Sequence, residues 1–273
     1  MPAFAFALAL TAAFVHALWN VLLARARDPQ AATAVALLVA VVVFAPVAAL
    51  TWDVHPGVWP FLVVSSCLQL LYFVLLAAAY RRAPLSVVYP MARGAAPVLV
   101  LLIGVVALGK SSSAGQVVGV LLVCAGILLV RGFRAGDANG MAFGLAIATT
   151  IAAYTLVDKH GITHAGPIPY LELTMVIPSL TYGAAMLRTK GAPALRAEFG
   201  PSTIAAGLAT FGAYALVLAA LERASAASVA AVRETSVVIA ALLAGKVLSE
   251  RVGPVRLAGA ALVAAGVALV SLA

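Results

Sequence analysis

Ten apolar runs of membrane-crossing length, each closed by a short polar break, constrain this chain more than anything else in it. They fall at roughly 2–23, 31–50, 58–80, 86–108, 114–132, 140–159, 168–187, 202–222, 228–248 and 255–272. A helix needs about 20 mostly apolar residues to cross the hydrocarbon core of a bilayer. The breaks, such as "ARARDPQ", "TWDVHPG" and "RTKGAPALRAEFGP", carry proline, glycine and charge, the usual punctuation of turns. Composition bears on the same point: 64% of the residues are apolar and 10% charged, against about 45–50% and about 25% in soluble domains. One water-facing globule cannot hide that much apolar surface. The expected class is an all-α integral membrane protein with ten transmembrane helices.

A net charge of +8 would suit a nucleic-acid binder if the basic residues formed a tract. Here they fall in ones and twos between apolar runs, as in loops beside a charged bilayer surface, so the expected surroundings are lipid and not nucleic acid. The odd-numbered connections hold Arg25, Arg27, Arg81, Arg82, Arg131, Arg134, Arg188, Lys190, Arg196, Arg251 and Arg256, and the even ones only Lys110, Lys159 and Arg223. That asymmetry favours odd connections in the cytoplasm and both termini on the far side. Cys67 and Cys124 fall within spans and indicate no disulfide framework. The first apolar run lacks a basic leader, so a cleaved signal peptide is not expected.

The chain also repeats itself. "LGKSSSAGQVVGVLLVCAGILLV" at 108–130 resembles "LSERVGPVRLAGAALVAAGVALV" at 248–270, with Gly119 and Gly126 falling on Gly259 and Gly266. The same offset carries Arg93 onto Arg233. Each unit, 1–139 and 140–273, then holds five helices, and an odd number means that the second unit enters the membrane upside down. Inverted repeats of this kind build secondary transporters whose substrate site lies near the midplane between the halves. The paired glycines lie seven apart on one helix face, where small residues let backbones approach. Their expected role is packing.

Charge inside the spans is the sharpest functional signal. Arg93 stands about 10 Å along its helix from Ser86, against a core half-thickness of about 15 Å, and Arg233 enters from the other face to a similar depth. A charge at that depth costs at least about 2.5–3.5 kcal/mol and should face a partner or a polar cavity. Glu234 can neutralise one arginine, leaving one positive charge in surplus. A substrate carboxylate or phosphate would supply the balance through bidentate hydrogen bonds to a planar guanidinium. Glu234 would then hold an ammonium group or carry a coupling proton. The plainer alternative is an ion pair that only fixes helix packing. Lys246 is expected to snorkel to the headgroups, Glu172 lies near an interface, and Asp28, Asp53, Asp137 and Asp158 fall in or near connections.

Pro90 and Pro97 flank Arg93 and predict a loosened helix lining a cavity; the second copy has Val237 at the position matching Pro97. Trp19, Asn20, Tyr72, Tyr89, Tyr154 and Tyr214 are candidates for the rest of the substrate-binding lining, and His16 is a second candidate for proton coupling. Neither a metal nor a cofactor is expected. No Asp-rich motif, His/Glu cluster or usefully spaced Ser–His pair is visible, so an intramembrane enzyme is disfavoured; a flippase for a lipid or lipid-linked headgroup is the closer rival.

With ten spans in 5+5 form, "LGK" and "LSE" ahead of glycine-bearing closing helices, and "HALWN" at 16–20, the chain resembles EamA-type members of the drug/metabolite transporter superfamily over essentially its whole length. The resemblance implies a basket of ten helices around a central cavity, in a bacterial inner membrane, as monomer or homodimer. It also implies export or exchange of small metabolites such as amino acids, often linked to a proton gradient. Three departures stand out. Lys110 replaces the acidic residue that the second copy keeps as Glu250, the chain stops at "VSLA" without a basic tail, and relatives have both termini inside. The paired arginines are not a general mark of the family.

Overall fold

The polar breaks become helix starts with ordinary capping chemistry. Asp28 accepts hydrogen bonds from the N–H groups of Gln30 and Ala31, with Pro29 in the first turn, and Ser225 accepts from the Ser228 N–H. The computed structural model describes residues 1–83, 85–109, 111–131, 138–239 and 253–273. Its helices are α1 (Ala3–Ala24), α2 (Pro29–Leu50), α3 (Trp59–Arg82), α4 (Leu85–Val106), α5 (Ala114–Arg131), α6 (Ala138–Gly161), α7 (Pro167–Ala197), α8 (Pro201–Arg223), α9 (Ala226–Arg233) and α10 (Pro254–Leu272), with a single 3₁₀ turn at Pro56–Val58. The bounds follow the first six expected runs, the eighth and the tenth closely. Lys110, Arg134, Asp137, Lys246, Glu250, Arg251 and the second half of the ninth run lie outside the described residues.

Among the described residues, six helical stretches are long and apolar enough to cross a membrane, and α5 and α10 contain shorter apolar helices. Helix α3 shows the solvent it is built for. Ser65, Ser66 and Gln69 are buried, while Val63, Val64, Leu71 and Val74 are exposed. A helix that turns its polar face inward and its aliphatic face outward is stable only where the surroundings are apolar. The chain is an integral membrane protein.

Two differences from the expected elements have local causes. Helix α7 runs to Ala197 instead of stopping near 187, because Gly191 takes a positive φ of 80° and lets a second short helical segment turn off at the surface. Helix α4 continues through Pro90 and Pro97, where a loosened helix was expected. The break falls instead in the second copy, at Glu234, after which residues 235–239 resume as helix. There the Glu234 N–H reaches the Ala231 carbonyl at 3.2 Å and the Val237 N–H reaches the Glu234 carbonyl at 3.0 Å. Both are tightened i→i−3 bonds, and the Thr235 hydroxyl takes the Val232 carbonyl at 2.8 Å.

Among the described helices, the main packing contacts recur when each element is exchanged for the one five places away in chain order. α1 lies on α8 as α6 lies on α3; α4 lies on α6 as α9 lies on α1; α2 pairs with α7 and α5 with α10. The connections pair likewise at opposite ends. At one end Glu198 accepts from the Asp28 N–H at 2.9 Å, and Lys190 bonds both Asp28 oxygens at 2.7 and 2.5 Å. At the other end a single antiparallel bridge joins Val54 to Ala165. This second end also carries the termini, with the Met1 ammonium donating to the Ser271 carbonyl at 2.9 Å.

The α5–α10 pair is a glycine seam. A Cβ on Gly119 would stand 2.7 Å from the Gly266 carbonyl oxygen, and one on Gly126 would stand 2.6 Å from that of Gly259. Main chain touches main chain along this line, which is the packing role expected of these glycines.

Candidate functional site

Arg93 is carried by α4 and Arg233 by the last turn of α9, and the break after Arg233 turns Glu234 between them. All three are buried, at 7%, 4% and 0% exposure. Arg93 Nε lies 3.0 Å from Glu234 Oε2, and Arg233 Nε lies 3.8 Å from Glu234 Oε1. A second nitrogen of Arg93 donates to Ser236 Oγ at 3.3 Å and stands 3.3 Å from His16 Nε2. A guanidinium has no acceptor, so this contact requires a lone pair on Nε2 and a neutral His16 ring. A proton on His16 Nε2 would have to displace Arg93.

The triad is held by charge more than by aligned hydrogen bonds. Both arginine Nε atoms and both Glu234 oxygens are buried with no hydrogen-bond partner of acceptable geometry. Groups of this kind are rare in folded proteins and ask for an explanation. The three side chains are packed together away from solvent, since opposite charges in a low-dielectric interior draw together strongly. A cavity of about 390 Å³ opens at the termini-bearing end. Its wall includes Val100, Leu101, Gln116, Lys159, His160 and Ser225, and none of the triad.

Most of the residues expected in the lining do converge here. Tyr72, Tyr89 and Tyr154 stand close enough to Arg93 to interact with its charge. The Tyr154 ring sits edge-on to Tyr72 and to Tyr214, at centroid distances of 6.4 and 6.0 Å, and Tyr154 stands close to Arg233. Trp19 packs edge-on against His16 at 4.8 Å, with its indole N–H buried and unsatisfied. Asn20 does not turn toward the triad: its amide donates to the His16 carbonyl of its own helix at 2.7 Å.

Asp158, expected in or near a connection, lies three residues from the end of α6 and turns inward, with 0% exposure. Its Oδ1 accepts from Ser65 at 2.5 Å and from Tyr170 at 2.8 Å, and its Oδ2 accepts from Tyr214 at 2.5 Å. Gln69 in turn donates to Ser65 at 3.1 Å. Asp158 thereby ties α3 of the first half to α6, α7 and α8 of the second. Tyr214 and Tyr154 connect it inward to Arg233, so the two acids belong to one polar network. The periodic hint available in sequence was Tyr154, one turn before Asp158 on the same face. Glu172 lies in the first turns of α7, buried and with one oxygen unpartnered.

Near the surface, Asp28 lies outside the spans. Partial burial pushes its carboxyl up, but the Lys190 ammonium and the N–H groups of Ala31 and Gln30 outweigh this and hold it below its ordinary value.

The model of the EamA-like transporter family matches the chain twice, over residues 3–132 and 138–272. No curated protein matches the sequence. A solved crystal structure superposes with a TM-score of 0.79, covering 98% of this chain and 97% of the other at 16% identity. At that identity the likeness speaks for the fold alone.

Proposed function

Since this chain belongs to the EamA-like transporter family, a family of membrane transporters of small molecules, we propose that it is a secondary active transporter of a small anionic or zwitterionic metabolite such as an amino acid. It works by alternating access, in export or exchange across a bacterial inner membrane. Ten spans form two inverted five-helix halves, 1–139 and 140–273, that rock about a central site. The exchange symmetry of the packing and the double match of the family model support this reading.

One observation carries the substrate class. Arg93, Arg233 and Glu234 are buried together with their Nε and carboxylate atoms short of aligned partners. A substrate carboxylate entering between the arginines would replace Glu234 as acceptor and use those donors in planar, two-pronged bonds. Glu234, displaced, would face the substrate's ammonium group. Tyr72, Tyr89, Tyr154 and Tyr214 line the approach, with Trp19 and His16 behind Arg93, and Asn20 takes a helix-stabilising role.

The test is transport in proteoliposomes, screening amino acids, organic phosphates and phosphonates. Arg93→Gln and Arg233→Gln should each weaken substrate binding by about 2–5 kcal/mol and abolish measurable flux, with membrane insertion intact. Normal transport by both variants would overturn the assignment.

A further inference from the structure

The core holds two arginines and, contrary to the sequence-based tally, two carboxylates in one network: Glu234 between the guanidiniums, and Asp158 joined to Arg233 through Tyr214 and Tyr154. With Asp158 ionised the network is balanced. With Asp158 protonated it carries one positive charge. Resting on the anion-binding reading above, we infer that Asp158 is a proton-binding site whose occupancy is linked to that of the arginine pair, so that a proton and an anionic carboxylate bind together.

The geometry gives the link its form. Asp158 accepts three hydroxyl hydrogen bonds, from Ser65, Tyr170 and Tyr214. An ionised carboxylate is acceptor only and takes all three; a protonated one must itself donate, so one hydroxyl has to turn away. Tyr214 is the hydroxyl whose ring also meets Tyr154, the neighbour of Arg233. The change in its bonding falls next to Tyr154 and Arg233, at the moment when the core gains its positive charge. Asp158 lies three residues from the end of α6, toward the end where the cavity of about 390 Å³ opens, between the surface and the triad.

The groups around Asp158 leave this role to it. From α3 it meets only neutral Ser65 and Gln69; from α7, Tyr170; from α8, Tyr214; and from α9, Arg233 acts on it through space. On α4, Arg93 is turned to Glu234. Its neighbours on α6 are engaged elsewhere, Lys159 with the Leu221 carbonyl and His160 with the Leu156 carbonyl at 2.9 Å. Among the described residues no hydrogen bond or ion pair joins Glu172 to the network. His16 gives up its Nε2 lone pair to Arg93, and Glu234 is occupied as counter-ion.

The linkage is reciprocal and can be read from either side. Full-length protein in lipid nanodiscs is titrated with acetate and with lactate at a series of pH values, alongside infrared difference spectra of the protonated carboxyl band. Affinity for both anions should fall by up to about tenfold per pH unit once Asp158 releases its proton, and either anion should enlarge the band at fixed pH. In Asp158→Asn the band should vanish and binding should become independent of pH. Tyr214→Phe keeps the carboxyl and removes one donor, so the pH window should move upward; this variant serves where Asp158→Asn does not fold. An unchanged pH dependence in Asp158→Asn, or in Tyr214→Phe, would overturn the inference, as would a band lost in Glu234→Gln and kept in Asp158→Asn. Binding of neither anion at any pH, or binding undiminished in Arg93→Gln, would remove the anion site itself and the inference with it.

Discussion

Glu234 and Asp158 are both sealed from solvent, yet they are held in opposite ways. Glu234 faces two guanidiniums and has no well-aligned hydrogen bond. Asp158 accepts three hydroxyls and takes part in no salt bridge among the described residues. A carboxylate held by cations can be exchanged for another anion, because the cations do not distinguish whose carboxylate they touch. One held by hydroxyls offers an incoming anion nothing, and the small species that can change its bonding is a proton. Position follows the same division: Glu234 sits at a helix break between α4 and α9, and Asp158 inside a continuous helix where four elements meet.

Substitution separates the two designs most sharply at Glu234. Glu234→Gln leaves two buried arginines without their counter-ion and should cost about 3–5 kcal/mol, read as a large drop in thermal midpoint that a bound anion partly restores. A loss smaller than that from Tyr214→Phe would break the comparison, since Glu234 would not then be the principal counter-ion. Tyr214→Phe removes one of three donors to Asp158 and should cost about 1–3 kcal/mol, by the same thermal measurement. No anion should rescue that loss.

A third carboxylate sharpens the contrast by moving an ion pair to the surface. Asp28 and Lys190 meet at 2.5 Å, but their side chains keep 32% and 26% exposure. Lys190→Met should therefore cost less than about 1 kcal/mol. Because the Asp28 carboxyl is held below its ordinary value, its contribution is complete above the carboxylate range of the unfolded chain. It disappears as pH falls through the lower folded value. The difference in stability between wild type and Lys190→Met should thus be flat near neutrality and close on strong acidification. A difference that grew with acid would reverse the sign assigned to Asp28.

How much of this was legible in sequence depended on whether a residue contrasts with its neighbours. Arg93 stands alone in its apolar run and Arg233 has only Glu234 beside it as a charge, and their depth follows from helix rise. Glu234 follows from adjacency to Arg233. Asp158 sits in "DKHG" at the end of an apolar run; a polar cluster there does not reveal that its first member turns inward. Its partners Ser65, Tyr170 and Tyr214 lie on three other helices, beyond any local pattern. The break at Glu234 was likewise hidden. Proline marks where a backbone bond is missing, and pointed to α4, while the actual break uses Thr235 and two shortened turns. The contact of Arg93 with Glu234 was beyond the sequence too, because which of two charged helices reaches the other depends on tertiary packing.

The glycine seam of α5 and α10 limits how such a molecule can move. Where a carbonyl of one helix lies in the space a methyl group would need on the other, and the Val263 and Val270 side chains are set against the same glycines, the contact leaves no room to slide. Shear along that line would cost the whole contact at once. The two closing helices should therefore travel as one rigid strut, leaving the wide displacements to elements farther from them.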